Sequence, residues 1–394
     1  MAQQKGCLSS HRLLSSDRSA NSSDFNLNRS LQRVAGLKQA YRSRFMKWFK
    51  TRSNHYPTQE QRLLLHAALF QGEEAVNRWQ QWRDAVDIET LDSESYHLLP
   101  LLCQNLVAHQ VEDTHMARLK GVYRRHWYAN QLLLKQAKSV ITSLRENQIE
   151  AIVLQDAALA TTYYQDFADR PMYSLEFLIH PDEVVSTIQI LQSLGWTLSS
   201  TEPLETLITR SVLALTNQAQ QQLYLHTHIF WAIPQNYTDE QVWKSRIPGQ
   251  VSEVPISILD PTDQLLFICL RSKHEGQQHR IHWLVDAFML LKPSAKIDWG
   301  RLVAQAQRYQ LVLPLKNLLI LLQKVLNVVI PNWVIPNLDL IPISQFELLE
   351  HQIFLNHKKL ILKANLLRLY YRFVHLKNQA IQLLSIGSLV HRAQ

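Results

Sequence analysis

Glycine is scarce in this sequence, with nine among 394 residues, and none of them forms a phosphate-binding loop. Neither a GxGxxG pattern nor a P-loop occurs, which excludes the usual glycine-rich turns around a nucleotide phosphate. The HExxH and GxSxG patterns are missing as well, so a zinc protease and an α/β-hydrolase have no support. Any catalysis by this chain must therefore depend on residues of another kind.

Cysteine is also rare, and the three cysteines are Cys7, Cys103 and Cys269. They are far apart and lack the CxxC or Cys/His spacing of metal ligands, so neither a disulfide scaffold nor a zinc knuckle is indicated. The first 23 residues contain no continuous apolar run of the kind that a secretory signal needs. These absences predict a cytoplasmic location.

The positive charge is concentrated at one end of the chain. The formal net charge is +8, yet residues 1–58 alone hold 11 Lys/Arg and 2 Asp/Glu. The rest is close to neutral, so we do not expect a nucleic-acid partner. The spacing from Leu27 to Arg52 predicts a basic amphipathic helix. Such a helix either docks on an anionic membrane surface or a protein partner, or packs as a solvated helix on its own domain.

Composition and periodicity divide the chain into five segments. Residues 1–56 form a basic, partly disordered segment that includes the amphipathic helix, and residues 57–147 form a helical domain. Residues 148–235 form a small α/β core, residues 236–330 a helical region and residues 331–394 a C-terminal helical extension. The predicted fold class is therefore α+β, with a small mixed sheet between helical regions. The apolar run LVLPLKNLLILLQKVLNVVI is interrupted by charged and amide residues, which predicts a buried helix rather than a membrane span.

Four segments of the core have the β-branched or alternating character of strands. They are EAIVLQ (150–155), SLEFLI (174–179), TLITRSVLAL (207–216) and QLYLHTHIFW (222–231). The second places Ser174 and Glu176 on one face, since side chains alternate along a strand. A pair of acids in this arrangement could bridge two divalent ions, but here only Glu176 is an acid.

The sequence resembles the uncharacterised nucleotidyltransferase family, a branch of the DNA polymerase beta-like nucleotidyltransferase superfamily. The likeness extends from about Gln59 to about Leu326. It rests on RLLLHAAL, YHLLPLLCQNL, YRRHWYANQLLL, IVLQDAALA, RPMYSLEFLIHP, LQSLGW, LYLHTHIFW, DPTDQLLFICLRSKHEG, RIHWLVDAFMLL and the pair Asp298-Trp299.

The resemblance implies a nucleotidyltransferase-like fold and nucleotidyl transfer from a nucleoside triphosphate such as ATP to an acceptor. It also implies magnesium held by three carboxylates. Those catalytic carboxylate positions fall on Ser174, Glu176 and His226, of which only Glu176 remains a candidate metal ligand. The family usually has a Leu-Lys-Gly segment in place of the phosphate-binding turn of the superfamily. In this sequence Gln155 and Asp156 stand at the lysine and glycine positions of that segment.

Arg170 is the third nucleotide-binding candidate, because in an active relative it would lie near the nucleotide. Arg170 and Glu176 each have another possible interpretation. Arg170 could pair with Asp166 or Asp169, and Glu176 could be an exposed acid on an edge strand. Asp286, between apolar neighbours in WLVDAF, is expected to form hydrogen bonds between helices.

The departures from the family pattern all disfavour a metal-bound triphosphate. Serine is a weak, neutral magnesium ligand, and histidine suits softer metals. Asp156 would place an anion near the phosphates, at a cost of about 1 to 4 kcal/mol for charges about 4 Å apart. Two hypotheses follow: a pseudoenzyme that serves as a binding or regulatory module, or an active magnesium-dependent transferase whose Glu176 is joined by Asp156, Asp166 or Asp169.

Overall fold

The computed structural model describes residues 57–207, 210–230, 239–274, 280–292 and 296–355. The basic helix expected from Leu27 to Arg52 lies outside these residues, as does the C-terminal extension after residue 355. The described residues belong to one compact unit that begins at Pro57.

Five helices open this unit, in the segment that the periodicity predicts to be helical. They are α1 (Gln59–Leu69), α2 (Gly72–Ala85), α3 (Ser93–His97), α4 (Leu99–Ala108) and α5 (Met116–Glu146). Helix α1 begins with a capping box, in which the Gln61 amide donates to the Thr58 hydroxyl and the Thr58 amide donates to the Gln61 side chain. The Thr58/Gln61 spacing in the sequence predicts this start.

A seven-stranded mixed sheet follows the helices, with strand order β3-β4-β5-β2-β1-β7-β6. Its strands are β1 (Ala151–Leu154), β2 (Ser174–Ile179), β3 (Thr197–Leu198), β4 (Val212–Thr216), β5 (Gln222–His226), β6 (Ile247–Val251) and β7 (Val254–Ile258). Strand β2 lies in the middle of the sheet, antiparallel to β1 and parallel to β5. This sheet confirms the predicted fold class.

The hairpin of β6 and β7 was not predicted from the sequence, and it lies in the range 236–330 that we expected to be helical. Both strands contain proline, and Gly249 interrupts β6, so their composition argues against strands. The sheet accepts Pro248 because β6 is at its edge, where no further strand needs the missing N–H.

Helices connect and cover the strands. Helix α6 (Gln155–Thr162) follows β1. Strand β2 is followed by a 3₁₀ turn (Pro181–Glu183) and by α7 (Val184–Ser193). Helix α8 (Leu204–Leu207) precedes β4, and α9 (Glu240–Ser245) precedes β6. The remaining helices are α10 (Pro261–His274), α11 (Arg280–Leu290), α12 (Trp299–Arg308), α13 (Val312–Leu326), α14 (Val334–Leu340) and α15 (Gln345–Leu355).

The two faces of the sheet pack against different helices. Leu175 and Phe177 of β2 join a core with residues of α5 and α7, whereas Leu178 joins a second core with residues of α10 and α11. Because side chains alternate along a strand, Ser174 and Glu176 share the face of Leu178. The fold therefore directs both polar residues towards the C-terminal helices.

The apolar run near residue 320 forms helix α13, and Leu315, Leu319 and Leu322 are fully buried in it. The prediction of a buried helix is confirmed. Within the described part of the chain, no helix is both long enough and apolar enough to cross a membrane.

Candidate functional site

Glu176 is the acid around which the candidate site is built. It lies on the central strand β2 and is only 2% exposed. The interpretation of Glu176 as an exposed acid on an edge strand is therefore wrong. A carboxylate this deeply buried must be paired or hydrogen-bonded, because an unpaired buried charge is strongly destabilising.

Two basic side chains provide this pairing. His226 reaches Glu176 from β5, with its Nε2 atom 2.9 Å from Oε2, and Arg271 approaches from α10, with Nη2 3.3 Å from Oε1. The Ser174 hydroxyl lies 3.5 Å from Oε1, at the limit of a hydrogen bond. The register of β2 and β5 places these side chains on one face, so Ser174, Glu176 and His226 come together.

The electrostatics keep Glu176 ionised. Burial acts to raise the pKa of its carboxyl group, but the Arg271 charge and the hydrogen bond from His226 outweigh burial and hold that pKa below its usual value. An ionised carboxylate only accepts hydrogen bonds, so Nε2 of His226 carries the proton between them. Glu176 is thus a buried carboxylate that is hydrogen-bonded to His226 and forms an ion pair with Arg271.

Asp156, at the start of α6, forms the second part of the site. Its Oδ1 atom accepts a hydrogen bond from Arg170 Nη1 at 2.6 Å, and its Oδ2 atom accepts from the backbone N–H groups of Tyr173 at 2.8 Å and Ser174 at 3.4 Å. The Asp156 carboxylate therefore accepts hydrogen bonds from three donors near the start of β2. A phosphate oxygen would use donors of the same kind.

Arg170 pairs with Asp156 and Asp286 rather than with Asp166 or Asp169. Its Nε and Nη2 atoms donate to the two oxygens of Asp286 at 2.8 and 3.0 Å, and Tyr164 donates its hydroxyl to Asp286 at 2.6 Å. Burial acts to lower the pKa of Arg170, but the charges of Asp286 and Asp156 raise it above the usual value. Asp286 is thus a hydrogen-bonding residue, but its partners Tyr164 and Arg170 lie in the loop between α6 and β2, so the expectation of bonds between helices is wrong.

Asn130 on helix α5 holds the turn that precedes β2. Its Nδ2 group donates to the carbonyl oxygens of Arg170, at 2.8 Å, and Phe167, while its Oδ1 accepts from the Met172 N–H at 2.9 Å. Asn130 is fully buried. These bonds fix the Arg170-Pro-Met172 turn and thereby the direction in which Arg170 points.

Gln155 differs from the other candidate residues in its backbone conformation and in its side-chain contacts. Its φ angle is +45°, in the left-handed region that disfavours residues other than glycine. Its side chain is buried, and Nε2 has no hydrogen-bond partner among the described residues. Gln155 lies next to Asp156 in sequence, yet it makes none of the described side-chain contacts of the site.

A cavity of about 290 Å³ adjoins the Glu176 ion pair. Its lining consists of residues of β4 and β5, one residue after β5 and one face of α10, namely Val212, Tyr224, His226, Ile229, Phe267, Leu270 and Arg271. Five of the seven have aliphatic or phenyl side chains or a phenol ring, and the two others are His226 and Arg271. None of these seven described residues is a carboxylate.

The side chains present do not fit a magnesium ion. The Nε2 atom of His226 and the Oε2 atom of Glu176 are 2.9 Å apart, which is the length of a hydrogen bond between them. The donor set is unsuitable, because both Glu176 oxygens face cationic or N–H groups instead of open space. Within the described residues, no three His, Cys, Asp or Glu side chains are arranged to hold a metal ion.

Sequence reasoning missed Arg271, Asn130 and Tyr164. Arg271 stands at the end of an apolar stretch of α10, LLFICLR, where a basic residue is a weak sign of a buried partner. Asn130 lies between apolar positions of α5, which is a similar sign. Neither sign identifies the partner, because that partner is 95 residues away for Arg271 and about 40 for Asn130.

Comparison with known proteins identifies the family. Residues 93–327, more than half of the chain, match the model of a family described as uncharacterised nucleotidyltransferase. The chain belongs to this family. Its membership confirms the resemblance that the sequence motifs indicate, and the mixed sheet between helical regions is the fold that the family implies.

Two solved structures are similar to the chain at low identity. A lincosamide antibiotic adenylyltransferase, LnuA, bound to lincomycin is 15% identical, with 40% of this chain and 94% of that chain covered and a TM-score of 0.30. An antigenic nucleotidyltransferase-like protein from Paracoccidioides brasiliensis is 14% identical, with 55% and 93% covered and a TM-score of 0.32. No functionally curated protein matches the sequence.

Proposed function

We propose that this protein is a nucleotidyltransferase-family pseudoenzyme, which keeps the fold, lacks metal-dependent nucleotidyl transfer and serves as a binding or regulatory module. The observation that carries this proposal is the ion pair of Glu176. At the position where the family holds magnesium with three carboxylates, a serine, a glutamate and a histidine are present. The two oxygens of the remaining acid face His226 and Arg271.

The charge at this ion pair opposes a divalent ion. Arg271 is a permanent cation. A magnesium ion bound to Glu176 would lie within a few ångströms of the Arg271 guanidinium group. Repulsion between unit charges at about 4 Å is worth roughly 1 to 4 kcal/mol near a protein surface, and a divalent ion about doubles it. Metal binding would also have to break the His226 contact, leaving a buried polar group without its partner.

The charge at Asp156 opposes a triphosphate. Its carboxylate accepts hydrogen bonds from Arg170 and from the Tyr173 and Ser174 amides, which are the donors that a phosphate could use here. A phosphate would have to displace a covalently attached anion that is already in place. Because positioning and electrostatic stabilisation of the phosphates supply nearly all the catalysis in phosphoryl transfer, losing both is incompatible with efficient turnover.

The contacts of the other acids support this proposal over an active, displaced site. Asp169 accepts a hydrogen bond from the Asp166 N–H at 3.1 Å, and Asp166 accepts one from the Ala168 N–H at 2.9 Å. Asp156 faces Arg170. These contacts direct the three acids to the turn before β2, whereas Glu176 faces α10.

Calorimetry tests the proposed function. The full chain is titrated with ATP, GTP, CTP and UTP, each in the presence of Mg²⁺ and then Mn²⁺. We expect no metal-dependent heat for any of the four nucleotides. Tight binding of one of them that disappears on removal of the metal would overturn the proposal.

A restored variant provides the matched comparison. The triple substitution Asp156→Gly, Ser174→Asp and His226→Asp puts back three residues of the family pattern. We expect this variant to bind a metal–nucleotide complex more tightly than the unchanged chain, since two negative charges are added at the metal position and one is removed at the phosphate position. Thermal unfolding of both proteins checks that the variant is folded.

A further inference from the structure

The long helix α5 exposes basic and large apolar side chains on the side that faces away from the cores. Its buried residues, such as Leu119, Leu133 and Val140, pack into the two cores. Eight of its exposed residues form the α5 surface, namely Lys120, Arg124, Arg125, Trp127, Tyr128, Leu132, Lys135 and Lys138. At a rise of 1.5 Å per residue, this surface is roughly 27 Å long.

The five cations of the α5 surface are not neutralised by carboxylates. Within the part of the chain that the structure describes, none of these Lys and Arg side chains forms an ion pair. By contrast, Arg118 on the same helix pairs with Glu89. The sequence of α5 contains one acid, Glu146, in its last turn. An exposed group of unneutralised positive charges favours an anionic partner.

Large apolar side chains stand among these cations. Tyr128 is 63% exposed, Leu132 43% and Trp127 42%. Tyr128 and Leu132 are one turn apart, and Arg124 and Lys135 lie on the turns before and after them, so these residues share one side of the helix. Neighbouring exposed apolar side chains bordered by polar ones are typical of interaction surfaces.

This combination favours a lipid bilayer over a nucleic acid. Tyrosine and tryptophan are enriched at the membrane interface, where an apolar ring meets the polar headgroups. Lysine and arginine extend their charged ends towards the headgroups while their methylene stems stay on apolar surface. A nucleic acid would satisfy the cations but leave Leu132 beside charged phosphates. Proteins that stack single-stranded bases also use a groove, whereas the α5 surface is the exposed side of one helix.

We propose that the α5 surface docks this protein on an anionic membrane. Trp127, Tyr128 and Leu132 enter the interface, and the cations on either side of them bind the anionic headgroups. The inference goes beyond the proposed function and does not rest on it, because it uses none of the contacts of Glu176 or Asp156. It is also separate from the membrane hypothesis for the basic helix of residues 27–52.

Vesicle flotation of the full chain tests the inference. One set of vesicles is phosphatidylcholine alone, and the other contains about a third phosphatidylserine. We expect at least tenfold tighter binding to the anionic vesicles, because each cation near an anionic surface adds to the attraction. Equal binding to both sets, or binding to neither, would overturn the inference.

The double substitution Arg124→Gln and Lys135→Gln tests the charge of the α5 surface. We expect at least fivefold weaker binding to the anionic vesicles. Lys296→Gln with Lys324→Gln is the matched control, because it removes two exposed positive charges outside α5, and its binding should change less than twofold. Equal weakening by the two double variants would show attraction by net charge alone, and no weakening by the first would assign binding to another segment such as residues 27–52. Either result contradicts the inference.

The double substitution Tyr128→Ser and Leu132→Ser tests the apolar part of the surface. It changes no charge, so a solely electrostatic contact would not respond, whereas insertion of these side chains predicts at least fivefold weaker binding. Val329→Ser with Leu340→Ser is the matched control, since it removes two apolar side chains that are 92% and 79% exposed outside α5. Circular dichroism checks that all variants are folded. Unchanged vesicle binding of the α5 variant would mean that the apolar side chains do not enter the membrane.

Labelled single-stranded and duplex oligonucleotides test the other kind of anionic partner. Fluorescence anisotropy measures their binding to the full chain and to the Arg124→Gln/Lys135→Gln variant. We expect no binding that depends on these two cations. Tight oligonucleotide binding that the double substitution abolishes, together with no vesicle binding, would assign the α5 surface to a nucleic acid and overturn the inference.

Discussion

A single buried acid, Glu176, determines the properties of the candidate site. Its neighbours in the family pattern are replaced by Ser174 and His226, and Arg271 supplies the positive charge that stabilises it. Under the proposed function, this internal ion pair stands where the resemblance implies a magnesium site.

Glu176→Gln should expose the pH dependence of this ion pair. The folded-state pKa of Glu176 lies below its unfolded value of about 4.3, so its contribution is present above that pH and is lost as pH falls through the folded pKa. Because the substitution removes the negative charge that faces Arg271 and His226, we expect a loss of about 3 kcal/mol in the free energy of unfolding at pH 7. Urea unfolding at pH 7 and at pH 3.5 measures the loss, which should shrink at the lower pH.

Glu240→Gln is the control for this experiment. Glu240 pairs with Lys244 one turn later on α9, and both side chains are about two-thirds exposed. Exposed pairs of this kind are screened by water and salt, so the control should behave like the unchanged protein at both pH values. An equal loss for Glu176→Gln at both pH values would contradict the assignment of an ionised Glu176.

At the scale of elements, an arginine connects α6, the turn before β2 and α11. Arg170 in the turn bonds to Asp156 of α6 and Asp286 of α11, and Tyr164 joins them at Asp286. Charged groups that are buried and hydrogen-bonded in this way hold packed elements in one arrangement. The connection gives Asp156 and Asp286 a structural role.

Asp286→Ala should weaken the connection between these elements. The change leaves the buried Arg170 with one carboxylate partner instead of two and removes the acceptor of Tyr164, so we expect a loss of about 3 kcal/mol in stability. Tyr164→Phe is the matched control, because it removes one hydrogen bond and no charge, and should cost about 1 kcal/mol. Chemical denaturation of the three proteins compares them, and equal stabilities for the two variants would show that the Arg170 pairing is not important.

At the scale of the whole molecule, one apolar core joins the N-terminal helices to the sheet and to the C-terminal helices. The same cluster of contacting buried residues includes Leu64 of α1, Ile152 of β1, Leu178 of β2, Leu266 of α10 and Leu338 of α14. Helices that share a core with distant segments depend on them for burial of their apolar faces.

The helical segment 57–147 should therefore not fold by itself. Expressed alone, it exposes side chains such as Leu64, Leu99 and Leu119, each fully buried in the intact chain. We expect circular dichroism to show no cooperative thermal transition for this fragment, whereas residues 57–394 should show one. A sharp transition of the fragment would mean that the helices form an independent domain.

Part of this description was predictable from sequence. Alternation in SLEFLI predicts strand β2 and places Ser174 and Glu176 on one face, and helical spacing predicts most helices. The β6–β7 hairpin was not predictable, because a proline in each strand and Gly249 in β6 hide the strand pattern. The sheet accepts Pro248 on the edge strand β6 and Pro255 before the part of β7 that pairs with β1. The basic segment from Leu27 to Arg52 and its membrane or protein partner stay predictions.

The sequence by itself determined the family and the mixed fold, since both depend on which residues follow one another along the chain. Only the tertiary structure decided what Glu176 does. Its partners His226 and Arg271 are 50 and 95 residues away, and they meet it through the parallel register of β2 with β5 and the packing of α10 on the sheet. Local periodicity carries no information about such pairings, because strand order and helix packing are set by the burial of the whole core.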